Sequence, residues 1–91
     1  MGTSQAEIRN WLKDAKKKDA THVVVVCDTF DWEDYHIDVY PVGKKVYSYD
    51  YDDVNMAIKS HNGVNMQKVM EVYNLSMDLE KQLNEHRAYH I

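Results

Sequence analysis

The chain has 91 residues, 44% hydrophobic and 29% charged, with one proline and three glycines. That length and mixture exclude a multidomain protein, a collagen-like rod and a disordered chain, leaving one domain over residues 1–91. Eleven Lys and Arg against fifteen Asp and Glu give a net charge of −4, so the positive footprint of a generic nucleic-acid or anionic-membrane binder is missing.

In chain order, Ser4 and Glu7 have the spacing of a capping box, and Ile8, Trp11, Leu12 and Ala15 follow at i, i+3, i+4 and i+7. This predicts a first helix, closed by Lys16, Lys17 and Lys18, whose charge suits the negative end of the helix dipole. Thr21 to Cys27 is β-branched and apolar without interruption. Such a run predicts a central strand covered on both faces. Asp28 to Asp34 reads as an acidic loop carrying Phe30 and Trp32. Tyr35, Ile37, Val39 and Pro41 alternate with His36, Asp38, Tyr40 and Val42, the period of a second strand, and Pro41 puts its end at a sheet edge. After Gly43-Lys44, the alternation of Val46 to Tyr51 predicts a third strand antiparallel to the second, with Tyr47, Tyr49 and Tyr51 on one face.

Asp52 or Asp53 caps a short helix through Val54, Ala57 and Ile58 that stops at Asn62-Gly63. From Val64 onward, Met66, Val69, Met70, Tyr73 and Met77 recur at helical spacing, followed by Leu75, Leu79, Leu83 and His86 on a shifted stripe. Residues 64–90 are therefore expected to be helical, as one helix or as two divided near Asn74-Leu75 and capped by Ser76. The predicted class is α+β: a two- or three-stranded antiparallel sheet covered by an N-terminal helix and two or three C-terminal helices.

Several groups are candidates for chemistry. Asp28, Asp31, Glu33 and Asp34 are hard oxygen donors of the kind Mg²⁺ or Ca²⁺ takes, but they lack the glycine and closing glutamate of a calcium loop. A solvated turn is the expected reading. His86 and His90, four apart, would share a helical face, yet a zinc site needs a third ligand. Cys27 is the single cysteine, which forbids an internal disulfide; it has His22 or His36 as a conceivable base, but a small buried hydrophobe is the expected role. With no signal peptide legible at Met1, the expected location is the cytoplasm. Three glycines supply no phosphate loop, dinucleotide fingerprint or nucleophile elbow, so no metal, no cofactor and no catalytic residue is expected. Arg9 and Arg87 are the only arginines, and Arg87 sits between His86 and Tyr89, where cation, imidazole and ring cluster. Tyr47, Tyr49 and Tyr51 on their strand, and Trp32 with Tyr35 near the loop, offer stacking surfaces.

Two stretches, HVVVVCDTFDWEDY from His22 and MEVYNLSMDLEKQLNEHRAY from Met70, resemble a family of short proteins encoded by bacteriophages and bacteria to which no activity is attached. The resemblance spans most of the chain, least of all Pro41 to Asp53. It implies a phage-type, cofactor-free protein acting in the host cytoplasm, similar in kind to counter-defence proteins that sequester host cyclic dinucleotide or cyclic ADP-ribose signals or plug a host effector. On that reading the chain is a homo-oligomeric, non-catalytic binder holding a small anionic nucleotide-like ligand between copies, because 91 residues enclose no large pocket alone. Arg87 and Arg9 would take phosphate, Trp32 and Tyr89 would stack the base, Thr29 and Asp31 would bond ribose or base, and His86 would stand beside Arg87. Two alternatives are an acidic inhibitor of a host protein, with Asp28 to Asp38 imitating nucleic-acid phosphates, and a metal-dependent phosphodiesterase using the acidic loop with His22 or His36.

Overall fold

A computed structural model describes residues 4–45, 47–85 and 88–91. The element order is α1 (Gln5–Lys17), β1 (His22–Asp28), β2 (Glu33–Val39), α2 (Val54–His61), β3 (Gln67–Asn74) and α3 (Leu79–Leu83). The strands form one antiparallel sheet in the order β2-β1-β3. The protein has an α+β fold, with the sheet packed between helices.

The valine run explains that arrangement. Successive side chains in a strand point to opposite faces, so Val23 and Val25 go one way and Val24 and Val26 the other. Val23 and Val25 join Ile8, Leu12 and Ala15 of α1, Tyr73 and Leu83 in one core. Val24 and Val26 join Val39, Val54 and Ala57 of α2, Val69 and Val72 in a second core. Both faces of β1 are thus covered by helices, as an unbroken apolar run requires.

The helix ends follow their caps. Ser4 Oγ accepts from the Glu7 N–H at 3.2 Å, and Asp53 Oδ1 accepts from Asn55 N–H at 2.9 Å and Met56 N–H at 3.4 Å. α2 closes on Asn62, with Gly63 at φ 76° in the left-handed region that glycine enters without a Cβ clash.

Two expectations are overturned. Residues Gln67–Asn74 form β3 instead of a helix. The cause is a bulge: Val25 pairs with Glu71 and Val26 with Val69, leaving Met70 as an extra residue. The bulge resets the alternation, so Val69 and Val72, three apart, share the α2 face while Met70 and Tyr73 pack on the α1 side. Period two with one insertion reads as period 3.6. Among the described residues the helical content after β3 is α3 alone, capped by Asp78 rather than Ser76, and residues 88–90 run beside β3, where Tyr89 bridges Val72 in parallel. His90 therefore lies on an extended segment and not on a helix.

Val46 lies outside the described residues, and the described remainder of the predicted third strand, residues 47–51, forms no strand. Tyr47, Ser48, Tyr49 and Asp50 form a turn in which Asp50 N–H donates to Tyr47 O at 3.0 Å and Asp50 Oδ2 accepts from Tyr47 N–H at 3.0 Å. That local closure uses the groups a strand would offer to a neighbour. Among the described residues of this segment only Tyr51 reaches the sheet, through a single parallel bridge to Val39.

Candidate functional site at the outer edge of β2

As the first strand of the order β2-β1-β3, β2 has one side paired with β1 and one side facing away from the sheet. The direction of each backbone group follows from two hydrogen bonds. Val39 O takes the Thr21 N–H at 2.6 Å, on the β1 side, whereas Tyr40 N–H donates to Tyr51 O at 2.9 Å, on the outer side. The N–H and C=O of one residue point the same way in an antiparallel strand and alternate along it. His36 and Asp38 therefore direct their backbone groups outward. Among the described residues, the His36 N–H and C=O and the Asp38 N–H meet no backbone partner. At the other edge, β3 is better covered: Val72 N–H donates to Ala88 O at 3.1 Å, His90 N–H donates to Val72 O at 2.9 Å, and the Tyr89 hydroxyl donates to Val69 O at 2.7 Å.

A groove of about 470 Å³ runs along this open edge, with Tyr35, His36, Ile37, Tyr40, Tyr51 and His61 among its walls and Asp38 and Asp50 as its charges. No lysine or arginine lines it. His61, at the last position of α2, ties the walls together. Its Nδ1 lies 2.8 Å from Gln67 Oε1 and 3.3 Å from the Tyr35 hydroxyl, and its Nε2 lies 3.0 Å from the Tyr51 hydroxyl. With the amide oxygen accepting from Nδ1–H, Nε2 is the acceptor for the Tyr51 hydroxyl. This bond, with the bridge to Val39, holds Tyr51 across the end of β2. On the opposite face His36 stacks on Trp11 at 4.8 Å and its Nδ1 lies 3.0 Å from Asp38 Oδ1, while Lys18 Nζ stands 3.9 Å from Asp38 Oδ2. Tyr47 and Tyr49 stack on each other at 5.1 Å and are solvent-exposed.

The residues expected to bind ligand are distributed over three places. Thr29, Asp31 and Trp32 share the β1–β2 turn, where Phe30 N–H donates to Asp28 Oδ1 at 2.9 Å, and Trp32, 65% exposed, takes φ 55°. Thr29 is already engaged, its N–H and hydroxyl both donating to Met66 O at 2.7 and 2.6 Å. Arg9 makes a two-pronged pair with Glu80, Nε to Oε2 at 3.0 Å and Nη2 to Oε1 at 2.9 Å. The hydrogen bond and charge of Glu80 raise the Arg9 pKa, and Arg9 lowers that of Glu80. Tyr89 belongs to the segment beside β3, and partial burial raises its hydroxyl pKa. His86 and Arg87 lie outside the described residues. The arginine and aromatic pieces of the expected phosphate site are thus held by separate partners.

Cys27 is buried, and burial raises its thiol pKa, assisted by a hydrogen bond with Asp34. That is the opposite of an activated nucleophile. Among the described residues no group of three or more His, Cys, Asp or Glu is placed to hold a metal ion, and no helix is long and apolar enough to cross a membrane. Sequence reasoning missed His61 and the outward His36 backbone as site elements. The available signal was Pro41 at the end of an alternating segment, which marked β2 as an edge strand.

No family model matches the chain, and no curated protein or solved structure is similar to it.

Proposed function

We propose that the protein is a non-catalytic binding protein that holds its partner along the outer edge of β2. The observation that carries this reading is the outward His36 N–H and C=O and the Asp38 N–H, without a backbone partner among the described residues and set beside an aromatic and acidic groove. An unpaired edge is a template for another strand and is ordinarily capped or blunted. Of the readings drawn from the sequence, it favours the acidic inhibitor of another protein. The two motifs support taking the chain as phage-borne, with a host protein in the host cytoplasm as the partner.

The test is His36→Pro. Proline removes an outward N–H and takes no ladder bond from β1, and edge strands accept it. The variant is expected to keep a cooperative thermal transition and to lose capture of the partner that wild type enriches from host extract. Equal capture by the folded variant would sink the edge reading.

A second reading, sequestration of a nucleotide-like signal by a homo-oligomer, is favoured by Lys18 and Lys44. Two further depressions, of about 430 and 350 Å³, share Tyr40 and Lys18; one is completed by Tyr47, Tyr49 and Asp50 and the other by Asp19, Pro41 and Lys44. Rings for stacking and ammonium groups for phosphate stand together there. Native mass spectrometry with cyclic dinucleotides and cyclic ADP-ribose isomers tests it: an oligomer gaining intact ligand mass supports sequestration, and a monomer gaining none rejects it.

A further inference from the structure

We infer that the occupant of the β2 edge is an extended, basic segment of a partner protein that adds to the sheet as a fourth strand, its basic and apolar side chains alternating. This rests on the edge reading above and names the partner's chemistry.

The first argument is charge. From Asp19 to Gly43 the chain carries Asp19, Asp28, Asp31, Glu33, Asp34 and Asp38 and not one lysine or arginine. This stretch contains both β1 and β2, so the hairpin that ends in the open edge has acidic charges and no ammonium or guanidinium of its own, Lys18 from the end of α1 standing beside Asp38. Natural edges are often guarded by lysine, whose charge repels a second basic strand. Here the guard has the opposite sign. It repels acidic strands and attracts basic ones, at a separation where charges near a protein surface still interact appreciably.

The second argument is the pattern across the strand. An added strand places the side chain opposite His36 on the face that His36, Asp34 and Asp38 share, and its two neighbours on the face of Tyr35 and Ile37. The first face carries Asp34 and Asp38 beside the His36 imidazole, with Lys18 Nζ 3.9 Å from the nearly buried Asp38 carboxylate, so one net negative charge remains there to favour Lys or Arg. The second carries the Tyr35 ring and the Ile37 side chain, both packed against the core around Val24 and Val26, and suits a β-branched residue. Backbone bonds to His36 supply affinity without sequence preference, and this alternation supplies the selection.

The third argument concerns a second copy as occupant. Two β2 edges paired symmetrically about His36 would set Asp34 of each against Asp38 of the other, a like-charge contact that opposes pairing. A basic strand sets no carboxylate against another, and Lys18, 59% exposed beside Asp38, is the one ammonium near its path among the described residues.

The probe is a heptapeptide of alternating lysine and valine, titrated into the full chain and followed by amide hydrogen exchange and fluorescence anisotropy. Expected results are slowed exchange at the His36 and Asp38 amides and binding that weakens as salt rises. Reversing two exposed charges together, Asp31→Lys with Glu33→Lys, should weaken binding about tenfold or more while leaving the thermal transition intact. Three results would overturn the proposal. Equal binding by the same peptide N-methylated at alternate residues would show charge attraction without strand addition. Equal binding and protection by a threonine-valine peptide would remove the basic requirement and leave the edge reading standing. Protection that rises with protein concentration alone would make a second copy the occupant. If no peptide protects these amides the basic strand also falls, and the His36→Pro capture experiment, which uses no peptide, still decides the edge reading by itself.

Discussion

Replacing Gln82 tests whether one buried amide holds the C-terminal part of the fold to the sheet. Gln82 is 2% exposed and is the buried polar side chain of the described core. Its Oε1 accepts from Asn74 N–H at 2.7 Å, and its Nε2 donates to Asn74 O at 2.9 Å and to Asp78 O at 3.2 Å. The side chain therefore completes both backbone groups at the end of β3, as another strand residue would. Gln82→Met keeps the length and approximate volume but leaves the Asn74 N–H and C=O without that partner. Each buried orphan costs about 1–3 kcal/mol, and water reaching the rim of the site lowers the sum, so the expected loss is about 2–4 kcal/mol. For a domain of this size that lowers Tm by roughly 10–25 °C. The assay is urea unfolding followed by fluorescence of the two tryptophans. Gln82→Glu sharpens it: the carboxylate still accepts from Asn74 N–H but faces two carbonyl oxygens, so it should be at least as destabilised at neutral pH and recover in part when acidified, since the protonated acid regains a donor. The consequence is local as well as global. α3 has five residues, too few to stand alone, and it is otherwise anchored by Leu83 in the core, by Gln5 Nε2 donating to Leu83 O at 2.8 Å and by the exposed Arg9–Glu80 pair. A Gln82→Met loss under about 1 kcal/mol with an unchanged denaturant slope would refute the view that this amide satisfies buried groups.

Three further outcomes follow from single sites. Burial lowers the His22 pKa from its ordinary 6.5, so below about that pH the unfolded chain takes a proton that the folded protein resists, and stability falls with acidification until the folded value is reached. His22→Gln should flatten this part of the urea-midpoint profile; an unchanged slope would contradict the assignment. The Cys27 thiol, raised by burial and Asp34, should resist Ellman's reagent in the native protein and react at the rate of unfolding, and rapid native labelling would show an accessible thiolate. Met66 holds φ 61° and is 58% exposed, so Met66→Gly should raise stability by about 0.5–1 kcal/mol, the left-handed penalty less the entropy of glycine. A decrease would mean that the Met66 side chain packs more usefully than its exposure implies.

The parts of this fold that were legible in the sequence are those fixed by local chemistry. Ser4 and Asp53 announce the starts of α1 and α2 because a cap acts within three residues, and the valine run announces a doubly covered strand because its alternation puts a methyl-rich side chain on each face. β3 was hidden because the Met70 bulge converts an alternating pattern into the 3, 4, 7 spacing of a helix, and only the Val25 and Val26 pairings reveal it. Residues 47–51, expected in a strand, depart from it for a related reason: Asp50 and Tyr47 satisfy each other, which no alternation rule registers.

The site divides in the same way. Thr29, Asp31 and Trp32 come together because one turn holds them, while Arg9 meets Glu80 across 71 positions, a distance no spacing rule spans. Yet the acidic charge on which the proposal draws was open to reading from the start, in the run from Asp19 to Gly43 without a lysine or arginine. What the sequence could not supply was the direction of the His36 backbone. That direction depends on which strand becomes the second neighbour of β1, and β3 holds that place because its bulge puts Val69 and Val72 against α2 and Tyr73 against α1. With β1 occupied on both sides and Tyr51 reaching only Val39, the unpaired backbone of the sheet is left where its acidic residues are densest. Under the proposal made above, acidic character and an open edge on the same strand favour the same occupant, and this convergence makes β2 the first place to test for a partner.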